Sequence, residues 1–169
     1  RSVFRVISSE EVSPGATLSR SNSYIAADAS SGKGMFITVL YLLYDKEKKQ
    51  MTCANAGHYS PLWFKAKEKA FGEITTGGVP VGILPGQTYA EETIQLAPQD
   101  LLVMYTDGVT EAKAANGEMF GLERLKRLVE ENSSLSAHDL FMKIQGGIKE
   151  FIGEAPPFDD LTLIVIRVK

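Results

Sequence analysis

A chain of 169 residues that is 44% hydrophobic and 23% charged has the size and composition of one ordinary folded domain, which excludes intrinsic disorder and the periodic bias of collagen or a coiled coil. Lys and Arg number 18 against 21 Asp and Glu, for a net charge of -3. No basic excess exists to draw in a phosphate backbone or an anionic membrane, so neither nucleic acid nor lipid is expected as a partner.

The first residues, with Val3, Phe4, Val6 and Ile7 at helical spacing, predict a helix that begins without a capping residue. Ser13-Pro14 then supplies an N-cap followed by proline at the first helical position, and a second helix runs to about Ala27, weakened by Gly15 and its serines. A loop follows from Asp28 to Gly34. From there the period changes. Met35 to Asp45 and Gln50 to Gly57 read as strands of a hairpin closed by the charged turn Lys46 to Lys49. The first strand is apolar on both faces, which predicts a central strand covered on both sides. Its apolar core, Met35 to Tyr44, is about half the length a membrane-crossing helix needs, and no signal segment opens the chain. A lone Cys53 makes no internal disulfide and is read as a small buried hydrophobe. With no zinc-binding Cys or His cluster either, the expected location is cytoplasmic.

Further strands are predicted at Leu62 to Ala66, Phe71 to Thr75, Tyr89 to Leu96 and Leu101 to Thr106, with links too short for crossover helices, hence antiparallel pairing. Helices follow at Leu122 to Glu131 and Ala137 to Ile152, each with leucines, isoleucines and valines along one face. Ser136 and Asp139 resemble a capping box at the start of the second, and Gly146-Gly147 within it predicts a kink or a close packing contact. The last strand, Leu161 to Val168, is again apolar on both faces. No repeat or linker divides the chain, and residues 1–169 are read as a single α+β domain of antiparallel sheet with segregated helices.

Carboxylates stand at the ends of two of these strands. Asp107 follows the strand Leu101 to Thr106 and precedes Gly108, while Asp159 and Asp160 stand just before Leu161 to Val168. If the two strands are antiparallel neighbours, the three carboxylates converge at one end of the sheet, an arrangement suited to a hard cation such as Mg²⁺ or Mn²⁺. Spacing alone leaves a second reading open, in which Asp107-Gly108 is a turn and Asp159-Asp160 a solvated approach to a strand.

Five segments occur in a distinctive order: ANAGHYSPL (Ala54 to Leu62), TGGVPVGIL (Thr76 to Leu84), YTDGVTEA (Tyr105 to Ala112), NGEMFGLERL (Asn116 to Leu125) and DDLTLIVIR (Asp159 to Arg167). In these the chain resembles the SpoIIE/RsbU-type serine phosphatases, the bacterial branch of the metal-dependent type 2C protein phosphatases, from about Met35 to Lys169. The resemblance implies a sandwich of antiparallel β-sheets flanked by helices and a two-metal Mn²⁺ or Mg²⁺ centre. There a metal-activated water attacks phosphoserine or phosphothreonine in line, with no covalent phosphoenzyme. It implies that Asp107 is a metal ligand, that Asp159 matches the second ligating position, and that Asp160 is the residue after it. The implied substrate is a phosphorylated regulatory protein of the anti-sigma-factor antagonist type.

The family supplies two more Asp ligands from upstream Gly-Gly-Asp and Gly-Asp stretches, and neither stretch occurs here. The segment Asp28 to Gly34 echoes an Asp-x-Ser-Gly-Lys-Gly pattern, but that pattern opens a helix in the family, whereas here a strand follows, so Asp28 is not counted as a ligand. The chain is accordingly read as the C-terminal part of such a domain, its opening strands missing, weakly active or inactive alone. A sheet edge left open in this way would suit pairing with a second copy, as a homodimer.

His58 and Gly108 are candidate substrate-site residues, and His58 could act as a general acid, although a loop histidine bonded to backbone is the preferred reading. His138, on the first turn of its helix, is read as solvated. The Gly77-Gly78, Pro80 and Gly82 loop lacks the Lys-Ser/Thr of a phosphate-binding loop and is expected to bury Val81, Ile83 and Leu84. The charged runs Lys46 to Lys49 and Lys65 to Lys69 are solvated tips. A haloacid-dehalogenase-type reading fails because Tyr105 stands where the nucleophilic carboxylate would be. The remaining alternative is a non-catalytic, truncated or degenerate phosphatase-fold module that binds a partner protein.

Overall fold

The computed structural model describes residues 2–10, 13–28, 36–154 and 159–169. Among the described residues five helices and seven strands follow in the order α1 (Ser2–Glu10), α2 (Pro14–Asp28), β1 (Val39–Asp45), β2 (Gln50–Ala56), β3 (Leu62–Lys65), β4 (Ala70–Gly72), β5 (Glu91–Gln95), β6 (Leu101–Tyr105), α3 (Asp107–Thr110), α4 (Leu122–Glu131), α5 (Ala137–Ile152) and β7 (Leu163–Arg167). The fold is α+β, with antiparallel sheets flanked by helices. It comprises two compact units, one of Arg1–Ser60 and Ile74–Leu96, the other of Pro61–Glu73 and Ala97–Lys169. No helix among the described residues is long and apolar enough to cross a membrane.

The first unit holds an antiparallel sheet in the order β1-β2-β5. Its core joins Leu18 of α2 to Ala54, Ala56, Val81 and Tyr89, with Phe4, Ile25, Val39 and Tyr41 packed around them. The serines and glycine that weaken α2 as a helix are the groups that dock it. The Ser13 hydroxyl caps Ala16 N–H at 3.1 Å and donates to Glu91 at 2.7 Å, and Ser19 Oγ accepts from Tyr89 N–H at 3.1 Å. A Cβ on Gly15 would stand 2.5 Å from the Tyr89 carbonyl oxygen. Asn22, fully buried, accepts from Gly82 N–H and donates to the Leu84 carbonyl, at 2.9 and 2.8 Å. Helix propensity is thus given up for side-chain bonds that fix α2 to the loop 82–89.

Cys53 lies fully buried in β2, with the Thr76 hydroxyl 3.4 Å from its sulfur. Burial pushes its thiol above the ordinary range, as expected for an inert packing residue.

The second unit holds the sheet β4-β3-β6-β7, also antiparallel throughout. Leu101, Val103 and Tyr105 of β6 join Leu125 and Val129 of α4 and Leu140, Ile144 and Ile148 of α5 in one apolar cluster. The bounds of α4 and α5 are those predicted from the apolar period. Ser136 Oγ caps α5 by accepting Asp139 N–H at 3.1 Å, and donates to the Asp139 carboxylate at 2.7 Å. Of the doublet in α5, Gly147 makes the expected close packing contact, since a Cβ there would lie 2.9 Å from Leu128 Cδ1.

Three expectations are corrected. Neither β1 nor β7 is a covered central strand: among the described residues each has one neighbour in its sheet. Leu43 and Tyr44 of β1, and Ile164 and Ile166 of β7, are 38–50% exposed. An apolar edge strand and an apolar central strand read alike in sequence, because periodicity reports composition on each face and not the number of neighbours. β6, between β3 and β7, is buried at every position but Met104. The predicted strand Phe71 to Thr75 shrinks to Ala70–Gly72, since Thr75 gives its N–H and hydroxyl to Glu92, both at 2.9 Å. In the Gly-Pro loop only Val81 is buried, while Ile83 and Leu84 are about half exposed.

Candidate active site

Register decides which carboxylates can meet. In the β6–β7 pairing Tyr105 lies opposite Leu163, so residues just beyond Tyr105 stand beside residues just before Leu163. Thr106 N–H reaches the Thr162 carbonyl at 3.2 Å, continuing the ladder by one rung. Asp107 then opens α3 beside Asp160, and Gly108 is pressed so close that a Cβ there would lie 2.4 Å from the Asp160 carbonyl oxygen. The structure therefore brings Asp107, Asp159 and Asp160 to one end of one sheet.

All three side chains are exposed. Asp107 Oδ1 accepts from Gly108 N–H at 2.9 Å, and Asp159 Oδ1 from Asp160 N–H at 2.7 Å. These local turns aim each carboxylate from a backbone that is itself tied to its neighbour strand. The donors are oxygens only and lie open to solvent. That chemistry fits a hard divalent cation that keeps several of its waters. Among the described residues no group of three or more His, Cys, Asp or Glu side chains is placed so that it could hold a metal ion, the three aspartates included. Asp28 closes α2, and its side chain and the loop after it lie outside the described residues.

His58 belongs to the first unit, whereas the three aspartates belong to the second. Asn55 holds the histidine loop in both directions, accepting His58 N–H at 2.8 Å and donating to the His58 carbonyl at 2.9 Å. Its ring Nδ1 lies 3.1 Å from the Tyr59 carbonyl. This is the backbone-bonded loop histidine preferred from sequence. The same loop explains why ANAGHYSP and TGGVPVG occur together. Gly57, at φ 70°, leaves space that a Cβ would take from Pro80, at 2.6 Å from its Cγ. A Cβ on Gly78 would stand 3.0 Å from both the Asn55 carbonyl and the Tyr89 ring, and the Tyr89 hydroxyl donates to the Val79 carbonyl at 2.9 Å. Both segments are interlocking loop structure.

NGEMFGLERL is structural as well. Arg124 donates to the Met119 and Phe120 carbonyls, each at 3.0 Å, pairs with Glu118, and lies over the Phe151 ring. Hydrogen bonding to that guanidinium holds the Glu118 carboxyl below its usual range. His138 is exposed on the first turn of α5. Two residues of consequence escaped the sequence reading. Thr106 and Thr162 link β6 to β7 beside the carboxylates, and the available signal was a hydroxyl residue at a strand end immediately before Asp-Gly.

Comparison with known proteins adds the following. The family described as Stage II sporulation protein E (SpoIIE) matches over residues 1–169. The phosphoserine phosphatase RsbU of Bacillus subtilis is 34% identical over 137 residues, covering 80% of this chain and 40% of RsbU. Among solved structures, the SiaA-PP2C domain of Pseudomonas aeruginosa superposes with a TM-score of 0.80 at 19% identity, covering 93% of this chain and 61% of that one. A Bacillus subtilis SpoIIE structure containing the PP2C phosphatase domain and a fragment of the regulatory domain gives 0.76 at 16% identity, covering 99% and 48%. The chain thus spans two fifths of RsbU and about half of that SpoIIE fragment.

Proposed function

The chain belongs to the SpoIIE family, and on that premise we propose that it serves a metal-dependent protein serine/threonine phosphatase, acting on phosphoserine of a regulatory protein of the anti-sigma-factor antagonist type. One observation carries the proposal: antiparallel β6 and β7 bring Asp107 and Asp159-Asp160 to the same sheet end. In this reading Asp107 and Asp159 hold Mn²⁺ or Mg²⁺, with Asp160 beside them. A divalent cation held there supplies Lewis acidity, neutralising charge on a phosphoryl group and making an attacking water more acidic. The protein's part is to fix two carboxylates on paired strand ends and to keep them exposed to an incoming phosphate. No protein nucleophile stands in this scheme, and neither Cys53 nor His58 has a part in it.

The test is Mn²⁺-dependent phosphate release from a phosphoserine peptide, with Asp107→Asn and Asp159→Asn alongside. The family uses four Asp ligands and this chain presents two of them, so turnover is expected to be slow. Release that requires Mn²⁺ and falls at least a hundredfold in either variant supports the assignment. Release indifferent to Mn²⁺ and to both substitutions refutes it. A second reading, a phosphatase-fold module that binds a regulatory protein without turnover, draws on the lack of a three-ligand group among the described residues. Absence of any release, together with retained capture of the phosphopeptide, would favour it.

A further inference from the structure

The backbone carbonyl of Thr106 has left the β-ladder. It accepts Val109 N–H at 3.0 Å and so starts α3. In a regular antiparallel pair that carbonyl would instead accept from the residue opposite, here Thr162. The vacated place is taken by the side chain: Thr162 N–H donates to Thr106 Oγ1 at 3.1 Å, while Thr106 N–H donates to the Thr162 carbonyl at 3.2 Å. The same hydroxyl directs its hydrogen toward the Asp160 carbonyl at 3.4 Å. This use explains why Thr106, although it stands at the N-cap of α3, makes no side-chain capping bond. One hydroxyl lets the chain turn out of the sheet at Asp107 while the partner strand stays attached through Asp160 and Thr162.

We propose that Thr106 is a positioning residue for the carboxylate pair, its hydroxyl replacing a backbone acceptor so that Asp107 and the Asp159-Asp160 turn are held together. The inference rests on the phosphatase reading for its purpose and on the rung geometry for its substance. Gly108 completes the arrangement from the other side, since any side chain there would meet the Asp160 carbonyl. The hydroxyl is the group that matters here, because serine retains it whereas valine keeps the shape of threonine without it.

Two measurements on the 169-residue chain separate the parts of this inference. The first is amide hydrogen exchange at Thr162 without metal, in wild type, Thr106→Val and Thr106→Ser. The second is Mn²⁺ binding, followed by the electron paramagnetic resonance of the free ion, in the same proteins and in Asp107→Asn. The expected result is Thr162 exchange accelerated at least tenfold in Thr106→Val and Mn²⁺ binding weakened about tenfold, the lower end for loss of a partner that orients metal ligands. Thr106→Ser stays within twofold of wild type on both. Thermal melting in EDTA accompanies each variant, and Thr106→Ala replaces the valine variant if that one does not fold. Mn²⁺ bound by Thr106→Val as tightly as by wild type, with Asp107→Asn impaired, overturns the positioning role and leaves the phosphatase reading standing. A serine variant as impaired as valine also overturns it, because the methyl would then be the operative group. Wild-type Mn²⁺ binding that ignores Asp107→Asn removes the phosphatase reading and with it the purpose of the clip. Unchanged Thr162 exchange in Thr106→Val removes the clip itself.

Discussion

Replacing Gly108 by alanine tests the convergence of the two strand ends through packing alone. An alanine Cβ would stand 2.4 Å from the Asp160 carbonyl oxygen, 3.0 Å from its carbon and 3.5 Å from Leu161 Cα. Carbon and carbonyl oxygen settle no closer than about 3.3 Å, so the two segments must part by roughly 0.9 Å. Two terms oppose each other. Alanine favours the helical turn α3 by up to about 1 kcal/mol over glycine, whereas overpacking costs about 1–3 kcal/mol, the more so when nothing flexible can give. Here the obstacle is backbone, held by the bonds between Thr106 and Thr162, so the clash prevails and a net loss of about 1–2 kcal/mol is expected. For a chain of this length that lowers Tm by about 2–8 °C. The assay is thermal and urea unfolding in EDTA, with Mn²⁺ binding measured separately, which should weaken as the carboxylates separate. A variant that melts at or above wild type would refute the close approach, and with it the inference that Asp107 and Asp160 are held side by side.

The opposite sign is expected at Gly146, where a Cβ would meet nothing within 4 Å. Gly146→Ala should raise stability by about 0.5–1 kcal/mol through helix propensity, and a lower Tm would contradict the open space. Asp100 is 2% exposed and accepts from Trp63 Nε1, Ala66 N–H and Ala97 N–H, each at 3.0 Å. Asp100→Ala leaves three donors without an acceptor and should cost about 3–4 kcal/mol in urea unfolding. The emission of Trp63, the single tryptophan, should shift with it, and a loss under about 1 kcal/mol would mean water replaces the carboxylate. Burial raises the Cys53 thiol above its ordinary value, so the neutral form favours the folded state. That contribution is whole below the unfolded thiol's value of about 8.5 and is lost as pH rises from there toward the folded value. Stability should fall in that alkaline window and fall less in Cys53→Ala, with thiol labelling slow until denaturant is added; equal pH profiles for the two proteins would contradict it.

Helices α4 and α5 were legible to the residue because each has a single apolar face against one core, so the 3.6-residue period, the Ser136 cap and the glycine after Ile152 agree. The meeting of Asp107 with Asp159-Asp160 was legible only as a condition. Three helices separate β6 from β7 in the chain, so no short link dictates their pairing, and it is the observed antiparallel register that places the end of one beside the start of the other. What the sequence did not disclose depends on the number of neighbours and on choices between bonds. The near-continuous apolar runs VLYLLYD and LIVIR fit a strand covered on both faces, yet both lie at sheet edges among the described residues. Thr75 could have extended β4, but Glu92 offered a charged acceptor. Ile83 and Leu84 looked buried on composition alone, although roughly half of any folded surface is apolar and two exposed aliphatics need no special cause.

The recurring motifs divide on physical grounds. Asn55, Gly57, Gly78 and Pro80 interlock in the first unit, and Glu118, Arg124 and Phe151 in the second; each removes space or satisfies backbone, and Glu118 and Arg124 are paired with each other. YTDG and DDLT differ in that their acidic groups point outward while their neighbours are spent holding the backbone beneath them. Thr106, Gly108 and Thr162 are occupied by one another or by Asp160, and the exposed carboxylates hold only short local turns. A cluster required merely for stability would be better served by neutral side chains, or by pairing the carboxylates with Lys or Arg. Two strand ends are brought close enough to forbid a side chain at Gly108 while their carboxylates stay open to solvent. That placement, set by β6, β7 and the bonds between them, is the physical argument for the metal-binding role proposed at this end of the sheet.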